Sequence, residues 1–327
     1  MSFPRVSVIV PVWNRRAFLE SCLASIQATN YPDLEVLLID DGSTDGSWEL
    51  ILGLADRSDG MVKRLHHRVH RHMGIAASRN LGLRHATGAY LSFLDTDDLY
   101  EPCRFDSCIK ALESQPSLHA VYEPVRIING NQGHQETSPG SAAKPVPSEL
   151  VPSLKSIATA DQDSLCWVFL NDWWLMPGIT LRRSFVERYG GFRCDLPVAE
   201  DTELWIRLAA TGAIRCAQSR EPVALVQRHA GGHSWDGIPL VRRARLYRKA
   251  LRSGWRATCR RPDLFLTQAP DALKRRYRKA ITDDVGRFAA RRSRQALLGV
   301  LAEAAIHQPA SLLSRRVIGN ARKGLLG

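Results

Sequence analysis

The sequence contains no C-x-x-C pair, and its seven cysteines (Cys22, Cys103, Cys108, Cys166, Cys194, Cys216 and Cys259) are odd in number and scattered. That spacing excludes a disulfide framework or a zinc knuckle, and it predicts small core side chains in a reducing compartment. Long apolar runs are also missing: none approaches the ~18 uninterrupted residues that would span a bilayer. The N-terminus passes at once into Val6, Val8, Ile9 and Val10, a run too short for a signal-peptide core and readable as a buried strand. These absences predict a cytoplasmic protein. No G-x-G-x-x-G follows that first strand, which excludes a dinucleotide-dependent oxidoreductase. A glycine-rich loop with a basic residue is absent from the same place, where Pro11-Val12-Trp13-Asn14 stand instead. A nucleotidyltransferase therefore becomes the lesser enzymatic reading. No internal repeat is visible.

The 327 residues, 44% hydrophobic and 24% charged, suffice for one large α/β domain with an appendage or for two modest domains. Acidic charge is nearly absent from the last quarter. Residues 241–327 hold 22 Lys and Arg against 5 Asp and Glu, and so carry more than the whole net charge of +12. An acidic partner surface is expected for that quarter, either anionic lipid or nucleic acid.

Hydrophobic periodicity predicts strands over Val6–Pro11, Leu34–Ile39, Val62–Val69 and 89–94, with helices over Arg15–Gln27, Ser47–Leu54 and Gly74–His85 between them. Strands separated by helices imply a doubly wound parallel sheet, whose ligands bind at the carboxyl ends of the strands. Residues 129–160, rich in Gly, Pro, Ser, Ala and Gln, read as a loop. A helix is expected over Thr202–Ala210, and basic helices from 241 onward are expected to break near Arg261-Pro262, Ala269-Pro270 and Gln308-Pro309.

Asp95-Thr96-Asp97-Asp98 closes the strand Ala89–Leu94. Three carboxylates in four positions repel unless a positive charge lies among them, and a hard cation held by carboxylates and substrate phosphates would supply it. A solvated turn is the alternative reading of the same residues.

Five segments then stand in order: Val6–Asn14, Leu38-Ile39-Asp40-Asp41-Gly42-Ser43-Thr44-Asp45, Gly74–Gly82, Phe93–Asp98 and Glu200–Leu208. Together they resemble the family 2 glycosyltransferases over roughly residues 5–235. The resemblance implies a GT-A fold, an α/β doubly wound and mostly parallel sheet with flanking helices, over residues 1–240. Within it, residues 1–100 would be the nucleotide-sugar-binding half and 101–240 the acceptor half, with a basic α-helical region over 241–327.

The site residues follow from the same resemblance. Pro11, Trp13 and Asn14 would pack against a base and ribose, and Asp41, with Asp40 behind it, would accept a base N–H. Arg79 would meet the donor phosphates. Asp95 would face the ribose or a metal-bound water, and Asp97 would ligate Mg²⁺ or Mn²⁺ with Asp98 in support. Asp201 would be the base that takes a proton from the acceptor hydroxyl, in one inverting displacement. Trp173 and Trp174, with Trp167 and Glu200, would form the acceptor side. His233, with His229 nearby, would be a further metal or diphosphate contact.

Each residue also has a plainer role open to it: turn or N-cap aspartate, surface arginine, core tryptophan, packing histidine. His66, His67, His70 and His72 lack zinc-site spacing and read as solvated. The expected donor is a nucleoside-diphosphate sugar, UDP-linked first and GDP- or dTDP-linked as alternatives. The expected acceptor is a glycan or lipid-linked saccharide. Basic clusters at Arg242–Arg252 (including Arg248), Lys274–Lys279 and Arg291–Arg294 beside the apolar Ala296–Ile306 suggest an anionic membrane as partner, at its inner face. Nucleic acid is not expected, because no recognition module accompanies the charge. The rival to an enzyme is a degenerate scaffold that binds nucleotide sugar or glycan, against which the full set of carboxylates argues. The Q-x-x-R-W pattern of polymerising relatives is absent.

Overall fold

The computed structural model describes residues 3–56, 62–66, 72–129, 175–216, 221–228, 238–267, 269–291, 293–312 and 314–326. The chain forms two compact units, Met1–Asp236 and Gly237–Gly327.

The first unit begins with the expected alternation. Strand β1 (Val6–Val12) is followed by helix α1 (Arg16–Ala28), β2 (Leu34–Asp40), α2 (Ser47–Asp56), β3 (Val62–His66), α3 (Ile75–His85) and β4 (Tyr90–Phe93). Val6, Val8, Ile9 and Val10 are all fully buried. Both faces of β1 are thus covered, as in a central strand of a parallel sheet. The main sheet runs β3-β2-β1-β4-β8-β6-β9, where β6 is Ala120–Tyr122, β8 is Ile179–Arg182 and β9 is Ile214–Cys216. The pairs β1–β2, β1–β4, β2–β3 and β6–β9 are parallel. Strand β8 lies antiparallel between β4 and β6, the latter preceded in the chain by helix α4 (Asp106–Ser114). Because β1 has β2 on one side and β4 on the other, the order reverses there, and such switch points open a crevice at the carboxyl ends of the strands.

Two features depart from the sequence reading. Strand β8 was not expected, nor was a small second sheet of β5 (Leu99–Tyr100), β10 (Ala224–Arg228) and β7 (Arg126–Asn129). Strands this short leave too few alternations to register as a period. The cysteines also divide: Cys22 and Cys108 are buried as expected, whereas Cys194 and Cys259 are exposed free thiols.

Helix α3 lies close over β1 and β2 because Gly82 has no side chain. A Cβ there would meet Ile9 Cγ2 at 2.6 Å and Ile39 Cδ1 at 3.1 Å. Gly82→Ala is expected to destabilise by about 1–3 kcal/mol through overpacking, measured by urea denaturation against the wild type.

The second unit is helical: α7 (Leu240–Arg260), α8 (Ala269–Ala290), α9 (Arg294–His307), α10 (Pro309–Leu312) and α11 (Arg315–Leu326). Its core includes Leu251, Leu273, Tyr277, Ile281, Phe288 and Leu297. The helices part between Arg260 and Ala269 and again at Gln308, near the expected breaks; Pro270 falls in the first turn of its helix, where a missing N–H costs nothing. Arg248 corrects the reading of its basic cluster. It is buried, it pairs with Asp284 and, at 2.9 Å, with Glu303, and it therefore belongs to the bundle interior. Glu303 also accepts a hydrogen bond from the Tyr277 hydroxyl at 2.8 Å. Among the described residues no helix is long and apolar enough to cross a membrane.

Candidate active site

Three loops converge at the carboxyl end of β1 and β2. Asp40 accepts hydrogen bonds from the backbone N–H groups of Gly42 (3.1 Å) and Ser43 (3.2 Å), a side-chain turn that ends β2. Asn14 takes a positive φ of 52°, which asparagine tolerates better than most residues. Its Oδ1 accepts from Thr44 N at 2.8 Å, while its own N–H donates to Ser43 Oγ at 2.9 Å. The loop after β1 is thereby tied to the loop after β2.

Asp41, almost fully buried, binds the third loop. Its Oδ1 accepts from Met73 N at 2.9 Å and its Oδ2 from Gly74 N at 2.8 Å. His72 Nδ1 lies 2.8 Å from the same Oδ2. The His72 ring stacks on Trp13, with centroids 4.0 Å apart and planes 17° from parallel. His72 is thus a wall of the crevice, where the sequence reading had it merely solvated. Its spacing among other histidines concealed the partner, which lies 31 residues back.

The Asp95–Asp98 turn occupies the end of β4. Leu94 N donates to Ile9 O at 3.2 Å and Thr96 Oγ1 to Pro11 O at 2.7 Å, so the turn is anchored to β1. Asp98 accepts from Gln227 N of β10 at 3.0 Å. Burial, and then the charges of Asp95 and Asp97, hold the Asp98 carboxyl well above the ordinary aspartate range. Asp97 Oδ2 is 3.8 Å from Arg15 Nε. Asp95 is the more open of the group, its side chain 33% exposed.

Arg79, on α3, joins this turn to the far half of the unit. Its Nη2 donates to Asp95 Oδ1 at 2.6 Å and its Nη1 to Glu200 Oε1 at 2.7 Å. The guanidinium is buried, lies 5.4 Å from the centre of the Phe192 ring, and its Nε has no hydrogen-bond partner among the described residues. In this structure Arg79 meets carboxylates on two sides, where the sequence had suggested phosphate.

Glu200 and Asp201 open α6 (Glu200–Ala210), entered through Ala199 at a φ of 63°, a left-handed conformation that is strained for a residue with a Cβ. Burial, then the charge of Asp201, pushes Glu200 up to about 8. Burial also raises Asp201, although Arg79 and the Thr202 N–H pull it back. The helix N-terminus favours negative charge at both positions.

The entry to α6 is fixed by two residues whose roles the sequence did not disclose. Asn80 exchanges a pair of 2.8 Å hydrogen bonds with the backbone of Phe192. Arg207 donates to the carbonyls of Tyr189 (2.6 Å), Gly190 (3.0 Å) and Gly191 (2.6 Å), and to Glu203 at 2.9 Å. Tyr189 ends helix α5 (Arg183–Tyr189), so this guanidinium satisfies carbonyls at a helix C-terminus. A Glu–Arg pair four apart on the helix that follows the Gly-Gly turn was the available signal.

Among the described residues no three His, Cys, Asp or Glu side chains converge into a complete metal cage. Asp95 and Asp97 offer hard oxygen donors in a crowd of like charge, which suits a cation that keeps waters and takes its remaining oxygens from a substrate. Trp167, Trp173, Trp174, His229 and His233 lie outside the described residues.

Residues 7–168 match the profile of Glycosyl transferase family 2. An uncharacterized glycosyltransferase of Rickettsia conorii is 35% identical over 130 residues, 38% of this chain and 21% of that protein. Glycosyltransferase GlyA of Streptococcus pneumoniae is 36% identical over 30% of this chain and 13% of that protein. The chain therefore matches only a minor part of the length of these curated relatives. Among solved structures, S. aureus TarS 1–349 in complex with UDP-GlcNAc superposes with a TM-score of 0.65 at 17% identity, covering 97% of this chain and 89% of that one. The mannosyltransferase PcManGT of Pyrobaculum calidifontis, in complex with GDP-Man and Mn²⁺, gives 0.56 at 24% identity, covering 98% and 87%. Both share the GT-A arrangement of a mostly parallel sheet with flanking helices. The five segments in their order, the switch-point crevice they line and the match over residues 7–168 lead to one conclusion: this chain belongs to glycosyltransferase family 2.

Proposed function

We propose that the protein is an inverting glycosyltransferase that moves a sugar from a nucleoside diphosphate to a hydroxyl of a glycan or lipid-linked saccharide. One observation carries the reading. The Arg79 guanidinium holds Asp95, at the end of β4, and Glu200, at the start of α6, within hydrogen-bonding distance of itself although 121 residues separate Arg79 from Glu200. The aspartate turn suited to a diphosphate and the Glu200-Asp201 pair suited to proton transfer thus share one crevice.

In this reading residues 1–100 form the donor half and 101–240 the acceptor half. Trp13, 46% exposed, presents a ring edge and face at the base end. Asp41 shapes that end through the His72–Gly74 loop, and Pro11 and Asn14 frame it. Asp97 and Asp95 would hold Mg²⁺ or Mn²⁺, which would offset the charge that gathers on the departing nucleoside diphosphate. Asp201, ionised and at a helix N-terminus, takes the proton of the acceptor hydroxyl as its oxygen attacks the anomeric carbon. A single displacement at that carbon inverts its configuration. UDP- and GDP-linked donors are the first candidates, because TarS and PcManGT are complexed with UDP-GlcNAc and GDP-Man.

The test is thermal unfolding with UDP, GDP, dTDP or CDP, with and without Mn²⁺. A nucleotide at ~100 times its Kd is expected to stabilise by about 2.7 kcal/mol, raising Tm by several degrees. The shift should need Mn²⁺ and disappear in Asp97→Ala. Folded protein that responds to no nucleotide would overturn the donor-site assignment.

A further inference from the structure

Helix α9 is apolar on two sides. Ala296, Leu297, Val300 and Ala304 turn inward and are buried. On the outward stripe, Leu298 is 54% exposed and Ile306, two turns later, 74% exposed, with Gly299, Ala302 and Ala305 also exposed beside them. The outward stripe of a helix in a water-soluble domain is normally polar, and a helix apolar all round is normally covered. The acidic residue of α9, Glu303, is turned inward to Arg248 and Tyr277, so it brings no negative charge to the outer stripe. Helix α11 repeats the pattern, with Ile318 52% exposed and Arg316, Arg322 and Lys323 exposed on the same helix. No acidic residue follows Glu303 in the sequence, whereas four basic residues do.

From this combination we infer that α9 and α11 form a docking surface for an anionic lipid bilayer, with Leu298, Ile306 and Ile318 entering the headgroup–acyl boundary and the arginines meeting lipid phosphates. The charge and the apolar stripe each narrow the choice. A soluble polyanion would use the arginines but has no use for exposed leucine and isoleucine. A second copy of the chain would cover the apolar stripe, but it would bring a unit of the same strong positive charge against this one. A bilayer with anionic headgroups satisfies both, and interfacial helices bind in this way. The inference concerns the second unit alone and does not depend on the chemistry proposed for the first.

The experiment is co-sedimentation of the purified full chain with vesicles of phosphatidylcholine alone or mixed with phosphatidylglycerol, at low and high salt. Binding is expected to the mixed vesicles, weak on the neutral ones and reduced by salt. The double variant Leu298→Asp/Ile306→Asp should bind the mixed vesicles about tenfold or more weakly, given what two buried aliphatic side chains contribute. Its Tm should be unchanged, because both positions face outward. Equal binding by variant and wild type would overturn the inference. So would equal binding to neutral and anionic vesicles. Binding of the variant to polyphosphate and to mixed vesicles that both stayed undiminished would identify a soluble polyanion as the ligand. A wild-type dimer that becomes monomeric in the variant would assign the stripe to a second copy.

Discussion

Asp201→Asn is expected to lower kcat by about 10²–10⁴-fold, the usual contribution of a positioned general base, while the nucleotide-dependent rise in Tm stays as in the wild type. Amide and carboxylate are nearly the same size, so the variant keeps the helix start and loses only the proton acceptor. The pH profile provides a second readout with a defined sign. The base works only when ionised, and burial raises its carboxyl above the ordinary aspartate range. The acid limb of kcat/KM should therefore fall at a pH above that of an exposed aspartate. Glu200, pushed up to about 8 by burial and by Asp201, is the neighbouring candidate for the same role. Glu200→Gln separates the two. Glu200 holds its proton below about 8 and so adds no negative charge beside Asp201 across the acid limb, which should therefore stay where it is while turnover persists. If Glu200→Gln erased turnover and Asp201→Asn spared it, the roles would be reversed.

The first half of the molecule was readable because its signals are local. Each of β1, β2 and β4 carries its own apolar run, and α1 and α3 carry their own stripes, so the alternation and the carboxylates at the strand ends emerge from windows of about ten residues. What the sequence concealed depends on partners far along the chain. Arg79 reads as a helix arginine until Glu200 is beside it. His72 reads as one of several histidines until its ring lies on Trp13 and its nitrogen on Asp41. The buried Arg248 is indistinguishable in sequence from the exposed basic residues around it, because Asp284 and Glu303 reach it from other helices. Strands β5, β6 and β9 are two or three residues long and take their conformation from their neighbours in the sheets. The strain at Ala199 leaves no compositional trace, since alanine is an ordinary residue everywhere except at that φ.

Arg79→Met should be the most destabilising single change in the crevice. It removes the guanidinium that donates to both Asp95 and Glu200 and leaves Glu200 buried without its ion-pair partner. Breaking a buried ion pair in this way typically costs about 3–5 kcal/mol. The loss should depend on pH, and the sign follows from linkage. A carboxyl whose pKa in the folded protein exceeds its value in the unfolded chain favours the folded state most below the unfolded pKa, and that advantage is lost as pH rises through the folded one. Glu200 already sits at about 8 against an ordinary 4.5 with Arg79 in place. Removing the guanidinium, which pulls Glu200 down, raises it further. The variant should accordingly lie far below the wild type in stability at alkaline pH and approach it on mild acidification, as Glu200 takes up a proton and no longer needs a cation. Arg79→Lys should recover only part of the difference, because a single ammonium cannot donate in two fixed directions to carboxylates on opposite sides. Urea denaturation of the three proteins across this pH range measures the effect. A gap between Arg79→Met and wild type that stayed constant with pH would mean that Arg79 acts through packing on Phe192 and not through its two carboxylates.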